Sequence, residues 1–396
     1  MKNYIHYNTT IVVIWMIGTY FLLGWGAIFD ISIMGIGRKL FTIIAIFISF
    51  LSLLKHRNAK LSILTIVFLI LDYFPVIVRY YKEGVLEDVQ IWKYSSMFAI
   101  SSTILLNMNN RFWDKLKGIE VTLMLLVIIN FFDMILHPNG SIIANDGDHN
   151  TWFIGQKNTL VMPIISSLVI SIIVSFHEVG KISKKIYIMY ILAFVSVIIS
   201  KSTTSFLIMS FLGLVIIYHK IMYNLSFLNI RNIFVLYVVL SISIMLFNIQ
   251  TYFIDIFQLF GKDATLTGRT DIYELSLLLI AESPVWGYGI EQGLDFAELA
   301  RSEYLAHTHN LLLWTLIQVG SVGLIYIFCI LFYISKQNRN FGVFWMTVLY
   351  SFILLGGITE PLAQMPVFYF WLALFIPIGK QKLESNNYEG INSLQR

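Results

Sequence analysis

The chain has 396 residues, of which 57% are hydrophobic and only 13% charged, and a net charge of +4. With a mean hydropathy of +0.75, it lies well outside the range of ordinary soluble domains. The small basic excess is spread through short loops, where it reports orientation in a membrane rather than a nucleic-acid surface.

A helix needs about 20 mostly apolar residues to cross the hydrocarbon layer. Runs of that kind occur at 11–28, 39–54, 61–78, 94–108, 119–136, 158–177, 186–200, 203–219, 233–251, 309–334, 341–358 and 366–379. They are continuous rather than alternating, which predicts helices and not a barrel. The expected class is therefore an all-α polytopic membrane protein with about twelve spans, forming one transmembrane domain over 1–396. Within it, 252–308 forms an extracytoplasmic cap and 380–396 a cytoplasmic tail. Met1–Thr10 is polar and no small-residue cleavage site follows, so no cleaved signal peptide is expected. Cys329 is the single cysteine and falls inside a span, which excludes a disulfide framework and a thiolate metal site.

Most of the 27 basic residues gather in alternate loops: Lys55, Arg57 and Lys60; Arg111, Lys115 and Lys117; Lys181, Lys184 and Lys185; Lys220 and Arg231; Lys336 and Arg339; Lys380 and Lys382. The positive-inside rule puts those loops and both termini in the cytoplasm. Two outside segments then exceed what a connection needs. Residues 137–157 are polar and turn-rich, with His137-Pro138-Asn139-Gly140 and Asn145-Asp146-Gly147-Asp148-His149-Asn150. Residues 252–308 are too apolar for disorder, and loops this long are usually functional. Inside them Thr267-Gly268 can start a helix, Ile272, Leu275 and Leu279 recur at helical spacing, and Ser283-Pro284 ends it. Trp286, Tyr288, Gly287 and Gly289 make a tight aromatic turn, and a polar helix is expected over 291–304. The whole segment reads as a cap on the outer surface. No internal repeat is visible.

The residues that could carry chemistry sit in these outside segments. His307-Thr308-His309-Asn310 closes the long loop, and Gly320-Ser321-Val322-Gly323 follows nine residues after Asn310. Histidine titrates near neutral pH and serves as a general base. Arg269 offers a fork that matches phosphate oxygens, and at a helix start it adds to free backbone N–H groups. Lys157 and Lys201 stand at the outer ends of spans. Each has a plainer reading: a histidine pair before a span can be an interfacial patch, an outer lysine a snorkelling anchor, Trp286 and Tyr288 interfacial anchors. His149 with Asp146 and Asp148 reads as a hydrated loop rather than a cation site. Asp72 and Asp133 lie near span ends and face the interface. What the plain readings do not predict is the ordered set.

That set resembles the bacterial O-antigen ligase/polymerase superfamily. The similar pieces are Gly155-Gln156-Lys157-Asn158, Ser200-Lys201-Ser202-Thr203, Gly268-Arg269-Thr270, Pro284-Val285-Trp286-Gly287-Tyr288-Gly289, and His309-Asn310 with Gly320 and Gly323. They cover roughly 150–325. One departure is visible: the family pattern implies an arginine beside the serine of the second piece, where this chain has Thr203, with Lys201 before it. The resemblance implies a fold like the GT-C-like membrane glycosyltransferases and a metal-independent, inverting enzyme without cofactor in the bacterial cytoplasmic (inner) membrane. It would polymerise undecaprenyl-diphosphate-linked repeat units into a capsular or O-antigen-type polysaccharide. His309 and Arg269 would be catalytic, and Lys157, Lys201, Asn310, Asn158, Thr270 and His307 would contact substrate. Partners implied are the lipid-linked glycan donor and acceptor, the bilayer, a flippase and a chain-length regulator. A ligase that moves the finished glycan to lipid A core or protein fits the same residues. A lipid-linked oligosaccharide flippase or other transporter would instead be expected to show repeats and midplane charge, and a non-catalytic assembly partner would not need the histidines.

Overall fold

The computed structural model describes residues 6–23, 32–55, 62–67, 88–142, 150–157, 159–225, 228–247, 269–289, 308, 310–336, 340–358 and 366–381, with isolated positions between 70 and 81. Side chains at 32–34, 88–94, 246–247, 269–271 and 366–367 are outside that description. In chain order the helices are α1 (Thr9–Leu23), α2 (Ser32–Lys55), α3 (Asp88–Asn107), α4 (Phe112–Leu136), α5 (Val161–Val179), α6 (Lys184–Ser200), α7 (Thr203–Asn224), α8 (Ile230–Phe247), α9 (Arg269–Glu282), α10 (Leu311–Ser335), α11 (Phe341–Gly356) and α12 (Pro366–Gly379). The only strands among the described residues are β1 (Thr151–Trp152) and β2 (Gly155–Gln156), an antiparallel hairpin.

The described residues are mostly helical, and apart from α9 the helices fall where the apolar runs lie. Residues 62–67 are helical within the run at 61–78. Gly35–Lys55, Phe112–Leu136, Val161–Val179, Thr203–Asn224 and Leu311–Ser335 are long and apolar enough to cross a bilayer. The helix ends carry local signals. Ser202, Asn310 and Asn340 cap α7, α10 and α11 through side-chain oxygens, and Gly180 closes α5 in the left-handed region at φ 66°.

Helix α5 is the central post. It is buried on nearly all sides and packs against α4, α6, α7 and α11, as its all-round apolar sequence requires. Around it α1 packs on α4, α3 lies between α2 and α12, and α8 and α9 both contact α10. The outer faces of α2, α6 and α7 expose Phe47, Ile191 and Ile217 among many large apolar side chains, the surface a lipid-embedded bundle presents.

Two ends of this bundle can be told apart. Phe176, near the end of α5, meets Phe341 at the start of α11 with ring centroids 3.6 Å apart, so these helices run antiparallel. His219, near the end of α7, also lies beside Phe341 and Trp345. The starts of α5 and α7 therefore share an end with the C-terminus of α11. At the opposite end a four-residue ion cluster ties α4, α5 and α6. Lys185 Nζ donates to Glu120 Oε1 at 2.9 Å, and Lys117 Nζ donates to Glu178 Oε1 at 2.8 Å. Lys117 Nζ also stands 2.7 Å from Glu120 Oε2, an ion pair by distance though off the hydrogen-bonding direction. Tyr7 extends the cluster to the N-terminal segment by donating to Glu178. Burial, reinforced by the Glu178 carboxylate, holds the Tyr7 hydroxyl well above the ordinary tyrosine range.

The apolar run at 309–334 is continuous in sequence, yet α10 is broken at Gly320 (φ 62°, ψ −166°). Within the segment expected as a cap, α9 packs on α10: Ile272 and Leu279 bury against Trp314 and Ile317. The polar helix expected over 291–304 lies outside the described residues.

Candidate functional site

Most motif segments converge on the end of the bundle that holds the α11 C-terminus. The meeting point is a pair of carbonyls, Gly357 and Ile358. Leu311 N donates to Gly357 O at 2.7 Å. The Tyr237 hydroxyl of α8 donates to the same carbonyl at 3.4 Å and accepts from Leu312 N at 3.0 Å. Ile358 O accepts from Asn310 Nδ2 at 3.3 Å and from the Tyr273 hydroxyl at 3.4 Å. Tyr273 lies one turn beyond Arg269 on α9, and Asn310 is the N-cap of α10. The starts of these two helices are thus tied to one carbonyl.

His309 and His307 lie outside the described residues, but the chain on both sides of His309 is fixed. Thr308 and Asn310 are fully buried. Thr308 Oγ1 donates to Asn310 O at 2.9 Å and accepts from Asn310 N at 3.4 Å. Asn310 Oδ1 accepts from Leu312 N and Leu313 N at 2.8 and 3.2 Å. The Asn310 amide therefore serves the helix start and the Ile358 carbonyl. Arg269 and Thr270 are the first two residues of α9, and their side chains lie outside the described residues, as does Asn158.

The lysine segments meet at the same end. Asp133 and Asn130, in the last turns of α4, hold the hairpin from below. Asp133 accepts from Phe153 N at 2.8 Å, from Ser141 Oγ at 2.7 Å and pairs with His137 Nδ1 at 3.0 Å. Asn130 Oδ1 accepts from Ile154 N at 3.0 Å. Trp152 is fully buried and its indole N–H donates to His137 O. Asp133, expected to face the interface, is thus the anchor of the outer segment. Lys157 follows β2, half-buried, its N–H on Asn150 O. Its carbonyl accepts from Ser205 Oγ of α7 at 3.4 Å. Lys201 is exposed in the α6–α7 turn and closes α6 in the left-handed region at φ 53°. The Lys157 and Lys201 segments are therefore neighbours, and neither lysine has an acidic partner among the described residues. His149, Asp146, Asp148 and Asp72 lie outside the described residues.

The aromatic turn and the Gly-x-x-Gly pair explain each other. At the break in α10, Ile317 O and Gln318 O lose their helical donors and accept instead from Tyr288 N at 2.7 Å and Gly289 N at 2.9 Å. Ser321 N and Val322 N, freed in turn, donate to Pro284 O at 2.9 Å and Val285 O at 3.3 Å. The turn replaces the missing rungs of the helix, which backbone in a bilayer requires. A Cβ on Gly320 would stand 2.2 Å from Val285 O, and one on Gly287 2.5 Å from Ile317 O. Tyr288 donates to Glu282, and burial with that carboxylate pushes its hydroxyl up to about 12. Trp286 stays exposed, 5.7 Å from Phe74.

Sequence reasoning missed Tyr237, Tyr273 and Ser205. The signal was present: a tyrosine or serine inside an apolar span needs an internal partner. Neither the curated proteins nor the solved structures give a match. Residues 188–328 match the family described as O-Antigen ligase, a stretch that runs from α6 through the break in α10 and includes Lys201, Arg269 and His309 but not Lys157. With motif segments of that stretch at one end of a helical membrane bundle, this part of the chain is similar to the O-antigen ligase family.

Proposed function

We propose that the protein polymerises undecaprenyl-diphosphate-linked repeat units into a capsular or O-antigen-type polysaccharide at the outer face of the bacterial cytoplasmic membrane. The observation that carries the reading is the shared tie at Ile358 O, which brings the starts of α9 and α10 together. In the reaction an acceptor sugar hydroxyl attacks the anomeric carbon of the donor. His309 takes the hydroxyl proton, the bond from the anomeric carbon to the diphosphate oxygen breaks, and that oxygen leaves with the electron pair. Arg269, with Lys157 and Lys201, balances the departing charge. His307 and Thr270 contact substrate beside them. The step inverts the anomeric centre and uses no metal. A flippase would deliver the units and a chain-length regulator would set the product.

The family description favours a second reading, a ligase that moves finished glycan to lipid A core or protein. Glycan length separates the two. His309→Ala should lower transfer by about 10²–10⁴-fold and leave lipid-linked single repeat units in cells that hold normal amounts of the protein. Arg269→Lys keeps charge but loses the paired fork, so shortened chains are expected. Normal long chains from His309→Ala overturn the catalytic assignment, and long lipid-linked chains in place of single units establish the ligase.

A further inference from the structure

At the end of the bundle away from the motif segments, the cations outnumber the carboxylates that could neutralise them. Glu120 and Glu178 are committed to Lys117 and Lys185. Lys184 at the start of α6 and Lys220 near the end of α7 are exposed and have no acidic partner among the described residues. We infer that these two lysines flank a binding site for the head group of an anionic glycerophospholipid, in the seam between α6 and α7. The site is separate from the reaction proposed above and does not depend on it.

Helix register places the two lysines on one seam. Phe194 of α6 meets Phe206 of α7 with ring centroids 5.5 Å apart, and the Tyr190 hydroxyl donates to Met209 O at 2.9 Å. Gly213 lies directly against the Tyr190 ring. The two helices are therefore antiparallel and in close contact. Residues three or four apart share a helix face. Stepping from Phe194 and Tyr190 along α6 leads to Tyr187 and then Lys184. Stepping from Phe206 and Gly213 along α7 leads to Ile217 and then Lys220, just past the bend at Tyr218 (φ −98°, ψ 17°). The opposite face of α7 is turned inward, since His219 packs beside Phe176, Phe341 and Trp345. Lys184 and Lys220 thus stand on the two sides of the seam and face out of the bundle.

The surroundings select the occupant. Two ammonium groups on flexible stems can close on one phosphodiester from both sides. Tyr187 and Tyr218 are exposed beside them, and tyrosines at this level sit among lipid head groups. Ile188, Ile217 and Ile221 continue the seam as exposed hydrocarbon. An inorganic anion would satisfy the lysines and leave that surface bare, and an acidic protein segment would cover it with polar groups. A phosphate that carries acyl chains matches both parts, as in basic sites between spans that hold anionic lipids. Lys336 shows the contrasting case: it folds over the ring of Phe332, 4.5 Å from its centre, as a single anchoring lysine does.

The test measures binding of phosphatidylglycerol, labelled with a fluorophore on its acyl chain, to the full-length protein in maltoside micelles. Unlabelled phosphatidylglycerol should compete, whereas phosphatidylcholine, inorganic phosphate and acyl-free glycerophosphoglycerol should not. Lys184→Gln and Lys220→Gln should each weaken binding about fivefold, and the double variant roughly twentyfold. Lys184→Arg with Lys220→Arg should restore it, and Lys336→Gln should leave it unchanged. Both lysines are exposed, so the melting temperature in phosphatidylcholine should match the parent protein; if the double variant does not fold, the two single variants decide. Binding unaffected by either glutamine, or weakened as much by Lys336→Gln, shows a response to net charge alone and overturns the site. Competition by phosphatidylcholine overturns selectivity for an anionic head group. Equal competition by inorganic phosphate or glycerophosphoglycerol shows an anion site without a lipid and overturns the proposal as well.

Discussion

Gly320 and Gly18 show how differently one residue type is used in this chain. Gly320 adopts φ 62° and ψ −166°, a region open essentially to glycine alone, where another residue costs on the order of 1–3 kcal/mol. Its missing side chain also admits the carbonyl of Val285, a backbone atom that cannot swing aside. Gly18 is in the middle of α1 with nothing within 4 Å of an added Cβ, and glycine in a helix interior costs roughly 0.5–1 kcal/mol against alanine. Gly320→Ala should therefore lower the melting temperature of the purified protein or prevent its accumulation, whereas Gly18→Ala should raise it slightly. Equal melting of Gly320→Ala and the parent protein would show that the interlock with 284–289 is not required. The spacing from Asn310 to Gly320 was plain in the sequence. Its physical purpose was not, because a helix break and the turn that fills it are 32 residues apart and each looks unremarkable by itself.

At the scale of elements, the hairpin hangs on Asp133. A hydrogen bond to a charged group contributes about 1.5–3 kcal/mol, and Asp133 accepts from Phe153 N and Ser141 Oγ while pairing with His137. Asp133→Ala removes all three at once and should release β1 and β2 from the end of α4. Trypsin applied to the outer face should then cut after Lys157 faster than in the parent protein, with glycan output reduced. Unchanged cleavage would mean that Trp152 and Asn130 suffice to hold the hairpin. Helix positions were legible throughout, since apolar runs and caps such as Asn310 and Asn340 are local signals. The hairpin was not, because two-residue strands have no periodicity to read and their partners, Asn130 and Asp133, belong to the preceding helix. The motif segments were legible as an ordered list. That the Lys157 and Lys201 segments and the starts of α9 and α10 belong to one end of the bundle required the pairing of α5 with α11 and the Gly357–Ile358 hub, contacts that span up to 120 residues of sequence.

Over the whole molecule the two ends divide labour. At the end away from the motif segments, Glu120 is fully buried between Lys117 and Lys185 and ties α4 to α6. Glu120→Ala should thus reduce the amount of folded protein in the membrane while each surviving molecule transfers glycan normally, the opposite of His309→Ala. Per-molecule activity lost in both variants would couple the two ends. The division also predicts an orientation. The ion cluster shares its end with Lys181, Lys184 and Lys336, and the tendency of basic loops to remain in the cytoplasm predicts that the other end faces outward. Cysteines placed by Asp148→Cys and Asp295→Cys should react with a membrane-impermeant maleimide on intact cells, whereas Asn58→Cys and Asn338→Cys should react only after permeabilisation. Cys329 is exposed on the helical bundle, so the four variants belong in a Cys329→Ser background. The reverse labelling pattern would put Arg269 and His309 on the cytoplasmic side, where a polymer made at that face would still have to cross the membrane, and the chain would then belong to synthesis before export rather than to assembly at the surface.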